Sequence, residues 1–248
     1  MKFAPLAALA MTAAFSLPAQ ALDLKDMSAA EREAFQAEIR AYLLENPEVI
    51  MEAVAVLEQR QAQEQAQADV DLVKANADAL FTDDRSWSGG NPEGDITLVE
   101  FMDYRCGYCR RAFPEVETLV ELDGNIRVIV KEFPILGEQS MLAARFAIAT
   151  LQKAGDDAYK QVHDALMTFN GDITETALRR LGDGFGLEVE TIIGHMDSDA
   201  VTDVIAANHA LAQRMNISGT PSFVMGDQML RGYVPLEAMQ QIAADIRG

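Results

Sequence analysis

The apolar positions of this chain change period along its length, and those changes divide it. Ser28-Ala29-Ala30-Glu31 has the form of a capping box, and Phe35, Ile39, Tyr42 and Leu43 follow at helical spacing. Asn46-Pro47 is expected to end that helix and open another, with asparagine as cap and proline at the first helical position. Ile50, Val54 and Leu57 mark one apolar face of this second helix. Between residues 58 and 69 the stripe dissolves into glutamine and alanine, good helix formers with nothing to bury, and it resumes weakly at Val73, Ala77 and Leu80. Residues 83–94, rich in Asp, Ser, Gly, Asn and Pro, read as a linker.

From residue 95 the pattern is that of an α/β domain. A nearly continuous apolar strand over 96–102 is followed by a helix over 109–122, stopped at Asp123-Gly124-Asn125, and by a strand over 127–131. That order predicts a right-handed crossover and a parallel pair. Residues 139–216 are almost entirely helical in pattern, with breaks near Gly155, Asn170-Gly171 and 182–186, and Met141, Met167, Met196 and Met215 fall where core fillers belong. Strands over 222–225 and 228–233, joined by a Gly226-Asp227 hairpin turn, and a helix from Pro235 finish the chain.

The first 21 residues stand apart. Met1-Lys2, an apolar run to Leu17 and Ala19-Gln20-Ala21 have the form of a signal peptide cleaved after Ala21, which predicts export to the periplasm, a compartment permissive for disulfides. The helical region 22–82 has apolar stripes too small to form a core alone. These helices either dock on the following domain or meet copies of themselves, and the long connector favours a homo-oligomer. A formal charge of −19 argues against nucleic acid or an anionic membrane as partner.

The only two cysteines form Cys106-Gly107-Tyr108-Cys109, placed where a strand pattern gives way to a helix. A disulfide scaffold needs cysteines spread through the fold, and a structural zinc site usually needs four ligands. His163, His195 and His209 lie far along the chain without ligand spacing, so neither a metal nor another cofactor is expected. A thiol at a helix N-cap meets free N–H groups and the positive end of the dipole, which favour the thiolate. Cys106 is therefore expected to attack and Cys109, one turn in, to resolve the mixed disulfide. Arg105, Arg110 and Arg111 flank the pair and are expected to favour the thiolate further.

The C-x-x-C at a strand end, Pro114 in the following helix, and Thr220-Pro221 before a hairpin together resemble the thioredoxin fold. The long helical insertion, about 138–216, is similar to that of the DsbA-like branch, as are Glu100-Phe101-Met102-Asp103-Tyr104 and Phe133-Pro134-Ile135-Leu136-Gly137. This resemblance covers 95–248. Tyr42-Leu43-Leu44-Glu45-Asn46-Pro47-Glu48 resembles the N-terminal helices of the ScsC-like subgroup (suppressor of copper sensitivity), some members of which oligomerise through that region. The resemblance implies a thioredoxin-like fold, a cis bond before Pro221, and an extended substrate segment bordered by Thr220, Pro221, Gly107 and Tyr108. It also implies a buried acid at Glu100, suited to shuttling the proton of Cys109. Lys131, on the adjacent strand, is the candidate partner for that acid, and Tyr104 and Phe223 are candidate substrate-facing aromatics, with core packing favoured for Phe223. Gly107-Tyr108 departs from the Pro-His of the family's strongest oxidants.

The expected activity is disulfide exchange with unfolded or misoxidised exported proteins, leaning to isomerase or reductase and reset by a membrane redox partner. A monomeric dithiol oxidase and a Cu(I)-binding protein remain as alternatives.

Overall fold

The structure is a computed structural model and describes residues 26–248, so the expected signal peptide, 1–21, lies outside the described residues. The chain divides into two compact units, the first ending at Gln59 and the second running Arg60–Gly248.

In the first unit, α1 (Ala29–Glu45) starts at the expected capping box. The Glu31 N–H donates to Ser28 Oγ, and the Ser28 N–H donates back to a Glu31 carboxylate oxygen. Asn46 does not cap the second helix. Its side-chain amide and its backbone N–H both donate to the Tyr42 carbonyl, so it closes α1 instead. α1 buries no residue, and Phe35, Ile39, Tyr42 and Leu44 are exposed. α2 (Glu48–Ala75) is one continuous helix that absorbs the Gln/Ala connector.

The second unit contains the rest of α2, then α3 (Ala77–Phe81), β1 (Ser88–Gly90), β2 (Ile96–Met102), α4 (Gly107–Asp123) and β3 (Ile126–Glu132). The insertion follows as α5 (Glu138–Ala154), α6 (Asp156–Met167), α7 (Glu175–Gly184), α8 (Val189–His195) and α9 (Asp199–Arg214). β4 (Ser222–Met225), β5 (Gln228–Arg231) and α10 (Leu236–Arg247) complete it. The sheet order is β1-β3-β2-β4-β5, with β2 and β3 parallel and the other pairs antiparallel. The fold is thioredoxin-like, with the expected crossover through α4. α4 stops where Gly124 adopts φ +67°, a left-handed cap that glycine takes without the Cβ penalty.

The segment 83–94 is not a free linker. β1 pairs with β3, Trp87 is buried against Tyr159 with ring centroids 5.6 Å apart, and Asp83 binds Lys131. The polar letters of this stretch gave no hint of the pairing, because a three-residue edge strand has no room for a pattern. The last strand also stops earlier than expected, at Arg231.

Alternation on the central strands sorts the core. Leu98, Met102, Val128 and Val130 face the layer that holds α4 and α5 to α8, while Val99, Phe101 and Ile129 pack with Val73, Leu80 and the end of α9 at Leu211 and Met215 on the other side. Asp69 of α2 forms an ion pair with Arg231 of β5, and Arg214 donates to Asn76, so the end of α2 and the start of α3 are fixed to the second unit.

Candidate active site

β2 delivers the chain to the carboxyl edge of the sheet, and Cys106 becomes the N-cap of α4 in an extended conformation (φ −75°, ψ 117°). Asp103 shapes the approach. One carboxylate oxygen accepts from the Arg105 N–H at 2.7 Å, and the other from the N–H groups of Ile135 and Leu136 at 2.8 and 3.1 Å. Both cysteines are free thiols. Cys106 retains 7% of its exposure and Cys109 none. The Cys109 N–H points at Cys106 Sγ (3.4 Å), as an N-cap acceptor requires. Across the site, Cys106 Sγ lies 3.1 Å from the carbonyl oxygen of Thr220, and the Thr220–Pro221 bond is cis.

The two sulfurs are electrostatically unlike. The Cys106 thiol is held down to about 5, first by the hydrogen bond it accepts from the Cys109 thiol. Burial opposes this, and the Thr220 side chain and the N–H groups of Cys109 and Tyr108 add to the lowering. Cys109 is pushed far above the thiol range, because it donates that hydrogen bond, because it is buried, and because Glu100 adds like charge. Such a pair offers one thiolate nucleophile and one retained proton.

The flanking arginines act elsewhere. Arg105 donates to the Gly171 carbonyl, Arg110 to the Tyr104 carbonyl, and Arg111 sits 4.3 Å from the centre of the Tyr233 ring. The lowering of Cys106 is carried by hydrogen bonds from Cys109, Thr220 and Tyr108, and the three guanidinium groups have other partners.

Glu100 is buried on β2, and one of its carboxyl oxygens has no hydrogen-bond partner. Burial foremost, with Glu117 and Cys106 adding like charge, pushes it up to about 8. Lys131 is not its partner. Glu100 is in register with Val130, whereas Lys131 is in register with Phe101 and so projects from the opposite face. Lys131, 0% exposed, binds Asp83 at 2.6 Å instead.

Tyr108 is 62% exposed beside the dithiol, with Gly107 next to it and the Tyr233 ring 6.4 Å away. Tyr104 is buried and turned inward, its hydroxyl donating to Glu132, and it does not face a substrate. Phe223 is wholly buried in the core, in register with Glu100. Sequence reasoning missed Glu132, Tyr159 and the buried position of His163 beside them. The available signal was parity, because Glu132 shares the strand face of Val128 and Val130.

Residues 97–244 match the DSBA-like thioredoxin domain. The chain belongs to the DsbA-like thioredoxin family. Residues 31–64 of this family member match the N-terminal domain of the copper resistance protein ScsC. Its fold is similar to that of a thioredoxin-like oxidoreductase from Silicibacter pomeroyi, at 44% identity and a TM-score of 0.65 over 68% of this chain and 96% of that one. BcfH of Salmonella enterica Typhimurium is 31% identical, with a TM-score of 0.73 over 88% of this chain and 97% of that one. A curated relative, Na(+)/H(+) antiporter NhaA 1 of Salinispora arenicola, is 27% identical over 157 residues, 63% of this chain. The match spans only 24% of that antiporter.

Proposed function

We propose that this protein is a thiol-disulfide oxidoreductase that exchanges disulfides with exported protein substrates. The observation that carries the reading is the asymmetric dithiol at the start of α4, with Cys106 Sγ 3.1 Å from the Thr220 carbonyl. Cys106 attacks a substrate disulfide as thiolate and forms a mixed disulfide, releasing the first substrate thiolate. Cys109 then attacks Cys106 Sγ, frees the second substrate thiolate, and leaves an oxidised Cys106–Cys109 pair beside a reduced substrate. Glu100 receives the Cys109 proton in that step. Reversal of both steps oxidises or reshuffles a substrate. Thr220, Pro221, Gly107 and Tyr108 border the extended segment that is attacked.

The signal-like N-terminus supports export to the periplasm with cleavage after Ala21. Among the described residues no helix is long and apolar enough to cross a membrane. The exposed apolar side chains of α1 and early α2, with Leu44 68% and Met51 67% exposed, support a homo-oligomer joined through residues 22–82. Several dithiols on one assembly favour isomerase or reductase work over that of a monomeric oxidase, with a membrane redox partner resetting the pair.

Cys109→Ser should accumulate mixed disulfides with a scrambled protein substrate, and Cys106→Ser none. Trapping through Cys109 would reverse the assignment. The redox potential measured beside the oligomer mass decides direction: a strongly oxidising monomer would replace the isomerase reading.

A further inference from the structure

A second set of buried polar groups gathers around Glu132, at the end of β3. The hydroxyls of Tyr104 and Tyr159 both donate to its Oε1 at 2.7 Å, and its Oε2 has no partner. The Tyr104 hydroxyl also lies 3.1 Å from His163 Nδ1. His163 and Glu100 line one cavity of about 200 Å³, whose walls include Glu117, Glu121 and Lys160. The strand register completes the picture. Glu100 lies beside Val130 and Glu132 beside Met102, so the two glutamates are diagonal neighbours on the same face of the sheet.

The charged surroundings of the pair are mostly negative. Glu132 meets Tyr104 and Asp103 from the turn after β2 and Tyr159 from α6, while His163 of α6 reaches it only through the Tyr104 hydroxyl. From α9 it receives only the Asn208 amide, which donates to its backbone carbonyl. Glu100 meets Cys106, Cys109 and Glu117 from α4, while β4 sets the apolar Phe223 beside it. The cation of the cavity wall, Lys160, is already held by Glu117 and Asp164. Burial pushes Glu132, like Glu100, up to about 8.

We propose that Glu132 is a positioning residue for the dithiol reaction, coupled to Glu100 so that the two buried carboxyls readily hold one negative charge between them. The proton that Glu132 gains or gives travels through Tyr104 and His163 to the cavity. Inward, His163 Nε2 takes a proton from the cavity, Nδ1–H passes its proton to the Tyr104 oxygen, and the Tyr104 hydroxyl proton passes to Glu132. Tyr104 and His163 each gain one proton and lose one, so only Glu132 changes charge. When Glu100 ionises to accept the Cys109 proton, Glu132 stays neutral and does not oppose it. This inference rests on the proposed exchange reaction.

Carbon-13 NMR titration of labelled glutamate carboxyls in the reduced protein tests the coupling without relying on activity. The wild type should show two interacting steps for the buried pair. In Glu132→Gln, which keeps an acceptor for both tyrosines, Glu100 should titrate in a single step about one pH unit or more below the upper wild-type step. The pH profile of mixed-disulfide resolution should lose its upper step in the same way. Tyr159→Phe, a milder change, removes a hydrogen bond to the charged form, so Glu132 should ionise at higher pH and Glu100 at lower. Glu100 titrating identically in wild type and both variants would overturn the coupling, even in a protein that exchanges disulfides normally. Absence of exchange with the coupled titration intact would instead reject the function and leave the carboxyl pair standing.

Discussion

Cys106 Sγ and the Thr220 carbonyl oxygen stand 3.1 Å apart although 114 positions separate them in the chain. The contact joins the start of α4 to the cis Thr220–Pro221 turn that leads into β4, and Cys106 keeps 7% of its exposure there. Because the hydrogen bond from the Cys109 thiol leads in holding Cys106 low, alkylation of Cys106 should follow a thiolate that is half formed near pH 5, far below the ordinary thiol value of 9. Because the folded value is the lower one, the stabilisation is complete above pH 9 and is lost as pH falls through about 5. Urea unfolding of the reduced protein and of Cys106→Ser should show a stability gap that widens from pH 5 upward. A gap that is flat with pH would contradict a stabilised thiolate.

Glu100 should act on resolution and not on attack. Glu100→Gln should slow the Cys109 step near neutral pH on the order of 10²-fold and leave Cys106 alkylation near normal. Rapid quench of a preformed mixed disulfide reads that step directly. An unchanged rate across pH would reduce Glu100 to a packing role.

The Asp83–Lys131 pair should be hard to break and easy to replace. Its partners respond unequally. Burial opposes the ionised Asp83, yet Lys131 and Arg85 together hold it down to about 2, whereas burial wins at Lys131 and lowers it. The pair is thus limited by desolvation. Lys131→Met or Asp83→Asn alone should cost about 3–5 kcal/mol in urea unfolding, and replacing both by apolar residues much less. Asp83 is lowered in the fold, so its stabilisation is present above about pH 4 and lost as pH falls towards 2.

A chain starting at Arg60 keeps the whole second unit, including Asp69, Val73 and Leu80. It should fold, exchange dithiols and sediment as a monomer, while isomerisation of scrambled substrate falls because tethered sites are lost. A chain starting at Asp83 would strip the Asp69–Arg231 pair and the Val73 and Leu80 packing, and should be less stable. If the protein with both helices already sediments as a monomer, the oxidase reading gains.

The strands β2 and β3, α4 and the dithiol were legible because apolar runs, a glycine stop and two lone cysteines are local signals. Long-range partners were not. Lys131 and Glu100 look adjacent in a list of strand residues, but one step of register sends them to opposite faces, and only the paired backbone fixes that step. The arginines beside Cys106 suggested thiolate stabilisation by proximity in sequence, whereas the fold directs Arg105 and Arg110 to carbonyls and Arg111 to an aromatic ring. Glu132 was overlooked because a charged residue at the end of a strand ordinarily reads as solvated.

Trp87 is the chain's single tryptophan, and it lies on the stretch that the sequence presented as a linker. Its ring stacks on Tyr159, which holds Glu132, and it also lines the cavity shared by Glu100 and His163. The protein thereby carries its own optical probe. Indole emission responds to the charge and polarity beside the ring, so one unlabelled fluorescence signal reports on the carboxyl pair and on the fastening of the sheet edge together.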